Sequence, residues 1–470
     1  MLRASALCEA AGIPTSSLVA EGFMGQAKAT SVGLGLPNIP VAMMPGHPAA
    51  QSDAALRDNI LGVTVEQVVA NLTRGNELGA MGAEPDPDSV VFRGSFTEVN
   101  EHFVAQEWCD GLPIVPPTRD RIEAFLRFTD RARDESLGVL LPDNRTATVW
   151  SVAVNGVMAG CRPEYMPVLV ALVEAMADPL YGVEHSGNTP GGETLIILNG
   201  PIADELGINQ TQGVMRDGFQ PNTSIGRFWR LYLRNVAGFL LHKTDKCTFG
   251  NTWRVLVAEN EHALARIGWT PHSVDMGFEA GDNVVSIARY TGGNMVSSMA
   301  GSTPEELLPF LADAVVRQNS WQITFTMGQG YGKLRPLVLM TPIIAEVIAK
   351  AGWTKRDVKQ YLFDHSRMRA WEFERFQRDW QRKPIWNIRE QVELGNVPRD
   401  VFLASDDPER MVPIVWAPEH FMLVVTGDPL RTSNYVFGHN GQLGFPVAKK
   451  IVLPRRWATL RPPSQPLQAR

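Results

Sequence analysis

The stretch TLIILNGPIADELGI, residues 194–208, decides the fold. An apolar run rich in isoleucine and leucine stops at Asn199-Gly200-Pro201, and a helical pattern then runs to Gly207. A buried strand, a tight turn and a helix are written in that order. PLVLMTPIIAEVIAKAGW, residues 336–353, repeats it: apolar run, small polar residue, proline, isoleucine, helix, glycine. Two readings stay open, a pair of generic strand–turn–helix units or a duplicated half-domain with a site between its halves. Strands that alternate with helices predict an α/β architecture on either reading.

Working outward, residues 92–282 read as an α/β body. Ile114-Val115-Pro116-Pro117-Thr118 leads into a helix over 119–128, and the apolar run 149–157 reads as a strand. The helix after Cys161 carries Met166, Leu169, Val170, Val173 and Met176 at helical spacing. Residues 283–470 form a second α/β half, with buried-strand signals at 336–340 and 421–426. Towards the N-terminus, residues 1–73 read as a small α/β unit. Its helix over 4–11 stops at Gly12, apolar runs at 14–20 and 40–44 suit buried strands, and 59–72 is near helical spacing. The chain opens inside that first helix with no preceding strand, so the unit is expected to be truncated or completed by a partner. The Gly-, Pro- and Asp-rich stretch 74–91 reads as a linker.

Composition bounds the function. At 470 residues the chain has room for two or three domains, and 44% apolar against 20% charged residues is globular usage. A net charge of −6 gives no basic footprint for nucleic acid. The 41 glycines and 33 prolines predict many tight turns. No apolar stretch approaches the ~20 residues of a membrane span, and residues 1–15 lack the apolar core of a signal peptide. The four cysteines, Cys8, Cys109, Cys161 and Cys247, form no CxxC pair. A cytoplasmic chain with reduced thiols is the expectation.

Two clusters carry candidate chemistry. Gly160 permits a sharp turn, Cys161 precedes a helix, Arg162 is its cationic neighbour, and Glu164 stands near as acid or base. A helix N-terminus and a guanidinium both favour a thiolate. Pro167 prefers the first helical turn, however, which sets the helix start at Met166 and Cys161 upstream of it. A buried cysteine in a tight turn is the competing reading. In the second cluster, Trp108 and Asp110 sit in a rigid Asp-Gly-Leu-Pro loop that suits a pocket floor, or a turn with a packed tryptophan. Glu259 and Glu261 flank Asn260 at a strand end, where ligands bind in α/β sheets. Of nine histidines, only His47, between Gly46 and Pro48, has a distinctive local setting. His242, His262 and His272 share no metal-ligand spacing. The loop 328–333 looks superficially like a phosphate loop but lacks its spacing and precedes a strand, and 438–441 reads as a hairpin-like turn.

EAAGIP (9–14), Gly46-His47-Pro48 and the helix near 59–72 resemble the UGSC-like family, which is named for a (seleno)cysteine, Gly, Ser, Cys motif. DGLPIVPPT (110–118), VMAGCRPEYMPV (157–168), NGPI (199–202), GIN (207–209) and AEN (258–260) resemble the large region fused to it in long members. The family looks distantly like the selenoprotein B component of glycine reductases, which implies reductive cleavage by a thiol or selenol. In the family, the CGSC-type motif sits just before the helix that leads into GIP. Met1 follows that place, and Cys8, inside the helix, does not match. Either the gene start lies upstream, or a partner chain supplies the motif, or this member lacks it. Cys161 matches a family cysteine.

The first functional expectation is therefore a thiol-dependent oxidoreductase acting on a small polar molecule. Cys161 is the nucleophile and Glu164 or Asp110 moves protons, while Trp108, Asn199, Asn209, Glu259 and His47 bind the substrate. A second expectation is a non-catalytic scaffold for a small CGSC-bearing redox partner. A third is a metal-dependent hydrolase or lyase using Asp110, Glu164, Glu259 and a histidine, although no metal ligand set stands out. The sequence names no cofactor, and a homo- or hetero-oligomer is expected. Cys161 and Asp110 should share one partly open pocket rimmed by Asn199-Gly200-Pro201.

Overall fold

The computed structural model describes residues 2–73, 75, 86, 88–320, 334–379, 387–439 and 444–460, and of 377–379 only the backbone. Most of the expected linker 74–91, the 328–333 loop and Asn440-Gly441 lie outside the described residues.

The N-terminal unit pairs two short parallel strands, β1 (Ser17–Ala20) and β2 (Val41–Met44). Helices Leu2–Ala10 and Met24–Gly33 surround them, with a helix over 53–73 interrupted by a π-helical turn at Ile60–Thr64. Asn71 Nδ2 ties that helix to the Val41 carbonyl at 3.1 Å, and Thr64 Oγ1 ties it to the Met43 carbonyl at 3.0 Å.

The body opens with a hairpin of β3 (Ser136–Leu140) and β4 (Arg145–Thr148). The run at 149–157, read as a strand, is instead the helix Val149–Met158. The Thr148 hydroxyl accepts the Ser151 N–H at 3.1 Å, and the Thr148 N–H donates to Ser151 Oγ at 3.0 Å. This reciprocal cap starts a helix that β-branched composition alone argues against. It is buried on nearly every face, so no polar stripe reveals its period.

A seven-stranded sheet forms the centre. It contains β5 (Glu193–Asn199), β6 (Leu256–Ala258), β7 (Val284–Val296) and β8 (Leu337–Met340). A small antiparallel pair, β9 (Arg367–Arg369) with β10 (Met411–Pro413), stands apart. The sheet is completed by β11 (Met422–Val425), β12 (Asn434–His439) and β13 (Val447–Lys450), in the order β11-β8-β12-β7-β5-β6 with β13 beside β7. Gly438 and His439 therefore end a strand, where a turn was expected. The sheet takes strands from both sides of the 282/283 division, so the structure does not separate there.

The strand order is mirrored about the antiparallel β7–β12 pair. On one side β5 is parallel to β6 and antiparallel to β7; on the other β8 is parallel to β11 and antiparallel to β12. The repeat extends upstream. Met158-Ala159-Gly160-Cys161 with Pro163-Glu164 matches Met299-Ala300-Gly301-Ser302 with Pro304-Glu305, and the spacing is the one that separates Pro201 from Pro342. Each copy leads through a helix, Met166–Ala177 or Pro304–Asn319, to its first strand.

Alternation along the strands divides the core. Leu195, Ile197, Val257, Ala288, Tyr290, Leu337, Leu339, Val424 and Phe437 pack as one cluster on the inner face. Ile196, Leu198, Leu256 and Ile287 pack outward against helices Val149–Met158, Met166–Ala177 and Gln220–Asn235. Val338, Met340, Leu423 and Val436 pack outward on the other side, against Pro304–Asn319, Pro342–Lys350 and Lys355–His365. The edge strands β6 and β11 meet at their C-terminal ends. Asn260 N–H donates to the Val425 carbonyl at 2.7 Å, and Thr426 Oγ1 donates to the Ala258 carbonyl at 2.7 Å. The sheet thus curls until its edges touch, which leaves fewer open strand edges.

Candidate functional site

Gly160, at φ +78°, turns the chain after the Val149–Met158 helix, and the Cys161 N–H is held by the Gly156 carbonyl at 3.0 Å. A 3₁₀ turn over Pro163–Tyr165 follows, and the α-helix starts at Met166. Cys161 lies beyond the reach of that helix's dipole, which fades within one turn. Its side chain is buried and takes a hydrogen bond with Ser224, while the Arg227 guanidinium acts on it from nearby. Burial wins and pushes the thiol up to about 12. Arg162, expected beside the thiol, pairs with Glu164 and lies over the Tyr165 ring at 5.6 Å.

The structure does bring Asp110 to the same helix. Arg227 grips its carboxylate with a two-pronged fork, at 2.8 and 3.0 Å, and Arg254 stands 3.5 Å away. Burial pushes the Asp110 carboxyl up, but the Arg227 hydrogen bonds and the two positive charges outweigh it and hold the group below its ordinary range. A locked carboxylate of this kind positions Arg227; it is poorly suited to pass protons. Trp108 packs edge-on against Phe103 and His102, as part of the apolar core.

The expected substrate-binding residues are engaged elsewhere. Glu259, 1% exposed, accepts from Asn199 Nδ2 at 2.7 Å, the His272 N–H at 2.6 Å and the Val425 N–H at 3.1 Å, with Lys355 Nζ at 3.5 Å. Four donors fill a carboxylate. Asn199 and Glu259 thus meet in a buried tie across the sheet closure and do not rim a pocket. Asn209 shapes its own turn, with its N–H on Asn222 Oδ1 at 2.9 Å. His47 caps the turn at Pro48–Ala50, accepting the Ala49 N–H at 3.2 Å, within the N-terminal unit.

A cavity of about 430 Å³ opens on the other side of the Glu259 tie. His272, Asp275, Arg335, Lys359 and Glu419 supply its polar lining, and Phe421, Met422 and Phe445 much of its apolar wall. His272 is 1% exposed, and neither ring nitrogen has a hydrogen-bond partner. Burial, and next the charge of Lys355, push its imidazole down to about 3, so the ring is neutral. Lys359 Nζ lies 2.9 Å from Asp275, and Lys355 Nζ lies 3.6 Å from the same carboxylate. Sequence reading missed this group because His272, Arg335 and Lys359 come from separate elements with no shared spacing. Among the described residues, no three His, Cys, Asp or Glu side chains are placed to hold a metal ion, and no helix is long and apolar enough to cross a membrane.

A family model described as the UGSC family matches residues 1–74. No curated protein and no solved structure matches the chain. The match covers His47 and none of the residues around Cys161 or the cavity. It ends where the N-terminal unit ends, so the similarity to the UGSC family is shown for that unit of the chain, residues 1–74.

Proposed function

We propose that this chain is an enzyme that takes a small organic molecule into the His272 cavity. One observation carries the reading: the His272 imidazole stands in the cavity wall, and neither of its buried nitrogens has a hydrogen-bond partner. Leaving a buried donor or acceptor unmade costs about 1–3 kcal/mol, a cost that a bound ligand removes. A neutral imidazole offers one N–H and one lone pair, which suits polarising a carbonyl or holding a hydroxyl. A volume near 430 Å³ is within the range of small-molecule sites. The test is a fragment screen by thermal shift on the unmodified chain and on Leu180→Trp, which fills the cavity from an exposed wall. Fragments that stabilise only the unmodified chain and move the His272 ring resonances support the reading. A screen with no such fragment sinks it.

A second reading keeps Cys161 as the nucleophile of a thiol-dependent oxidoreductase. Arg227 favours it, because one guanidinium serves both the thiol and Asp110. On this reading Cys161 alkylates with iodoacetamide below about pH 8.5 in the folded chain. Labelling confined to the unfolded chain removes it.

A further inference from the structure

We infer that the N-terminal unit joins two copies of this chain, with the outer edge of β1 pairing antiparallel to β1 of the second copy. The two edges of the β1–β2 pair differ. On β2, the Val41 carbonyl accepts from Asn71 at 3.1 Å, the Met43 carbonyl accepts from Thr64 at 3.0 Å, and the Met43 N–H donates to Gln67 Oε1 at 2.9 Å. Side chains of the helix over 53–73 thus close that edge. On β1, the Ser17 N–H donates to the Pro40 carbonyl at 3.2 Å. Alternate residues of a parallel ladder face the partner strand, so Ser17 and Val19 face β2, and Leu18 and Ala20 turn their main-chain groups outward. Among the described residues, nothing bonds the Leu18 N–H, the Leu18 carbonyl or the Ala20 N–H. The Ala20 carbonyl starts the 3₁₀ turn over Glu21–Phe23. Leu18 is 50% exposed. Arg3, Gly22, Gln26 and Gly33 meet the body, and none of these lies on β1. Ser16, Ser17, Leu18, Val19 and Ala20 place no charge and no proline on the edge, two features that keep an open edge from pairing.

A second copy fits because the pairing is self-complementary. With Leu18 on a two-fold axis, each Leu18 N–H meets the other Leu18 carbonyl, and each Ala20 N–H faces the Ser16 carbonyl of the other copy. The two Leu18 side chains lie side by side on one face and leave water together. Two strand pairs, each marginal alone, become one larger sheet.

The experiment is sedimentation velocity of the full chain across a range of concentration, with hydrogen exchange of the Leu18 amide at each end. At high concentration the unmodified chain is expected to sediment at twice the mass of one chain. Its Leu18 amide is expected to exchange at least tenfold more slowly there than in the dissociated chain. Leu18→Pro removes an N–H that the β1–β2 ladder does not use, and Leu18→Lys sets like charges face to face across the axis. Each is expected to raise the dissociation constant at least tenfold. The Leu18→Lys comparison stands if the proline variant fails to fold, since the side chain it replaces is half exposed. A single chain at every concentration overturns the inference. So does a dimer whose dissociation constant neither substitution moves, or one in which the Leu18 amide gains no protection.

Discussion

His272 makes the body acid-sensitive. Its ring stays neutral in the fold because burial and the charges of Lys355 and Lys359 oppose a proton, with Asp275 opposing them only in part. The unfolded chain has no such constraint and takes the proton near pH 6.5. Below that pH the unfolded state binds more protons, so stability falls as pH falls towards the folded value of about 3 and is untouched above 6.5. Between pH 6.5 and 5 the unfolding free energy should drop by about 2 kcal/mol more in the unmodified chain than in His272→Leu. Urea unfolding at the two pH values measures this, and equal drops would mean that the ring is solvated. Asp110 is the opposite case, a charge kept ionised by its partner. Arg227→Met should cost about 3 kcal/mol by leaving the buried Asp110 without its fork and with only Arg254, at 3.5 Å, beside it. Asp110→Leu in the same chain should recover part of that loss, and a double-mutant cycle reads the coupling.

At the scale of elements, the closure between β6 and β11 hangs on Glu259. Its carboxylate joins the end of β5 through Asn199, the start of β11's exit through Val425 and the His272 turn through its N–H. Glu259→Ala should therefore destabilise the body by about 3–5 kcal/mol, because Lys355 loses a buried partner and two backbone N–H groups lose their acceptor. A urea midpoint within experimental error of the unmodified chain would show that the edges close without it. The helix Gln220–Asn235 passes the next strand just as tightly: a Cβ on Gly226 would sit 2.2 Å from the Arg254 carbonyl carbon. Gly226→Ala should cost about 1–3 kcal/mol or more, since backbone cannot step aside as a side chain can. These elements differ in how much the sequence reveals. The runs at 194–198, 336–340 and 421–426 read as buried strands because a turn residue stops each one, and β5, β8 and β11 lie there. The run at 149–157 misleads because burial on all faces erases helical periodicity. The match of Met158–Cys161 to Met299–Ser302 is present in the residues, yet only the mirrored sheet shows its meaning. The cavity has no local signature, since Arg335 and Lys359 meet His272 only after the two halves have closed.

The whole molecule combines two kinds of junction. Residues 193–450 supply one sheet, so a cut at 282/283 would strip β5 of its neighbour β7 over its full length. A fragment 92–282 exposes that edge and half of the inner cluster, and should show no cooperative unfolding. The junction with the N-terminal unit is of another kind. None of residues 2–73 joins any of the three apolar clusters of the body. Contacts across it include three part-exposed polar ones, Arg3 with Glu184 at 3.3 Å, Gln26 Nε2 with the Thr244 carbonyl at 3.3 Å, and Lys246 Nζ with the Gly22 carbonyl at 3.5 Å, and a close approach of Gly33 to the Pro142–Asp143 backbone. Surface ion pairs and single hydrogen bonds of this sort contribute roughly 0–1 kcal/mol each. The parallel β1–β2 pair instead draws on its own helices, through Asn71 and Thr64. Removal of residues 1–91 should therefore leave the body with a single cooperative transition and a loss of no more than about 2 kcal/mol in urea. The truncated chain should also be stabilised by the same fragments as the full chain, because no residue of the cavity lining precedes Leu180. A body that fails to unfold cooperatively without the N-terminal unit would mean that the unit acts as a structural part of the body.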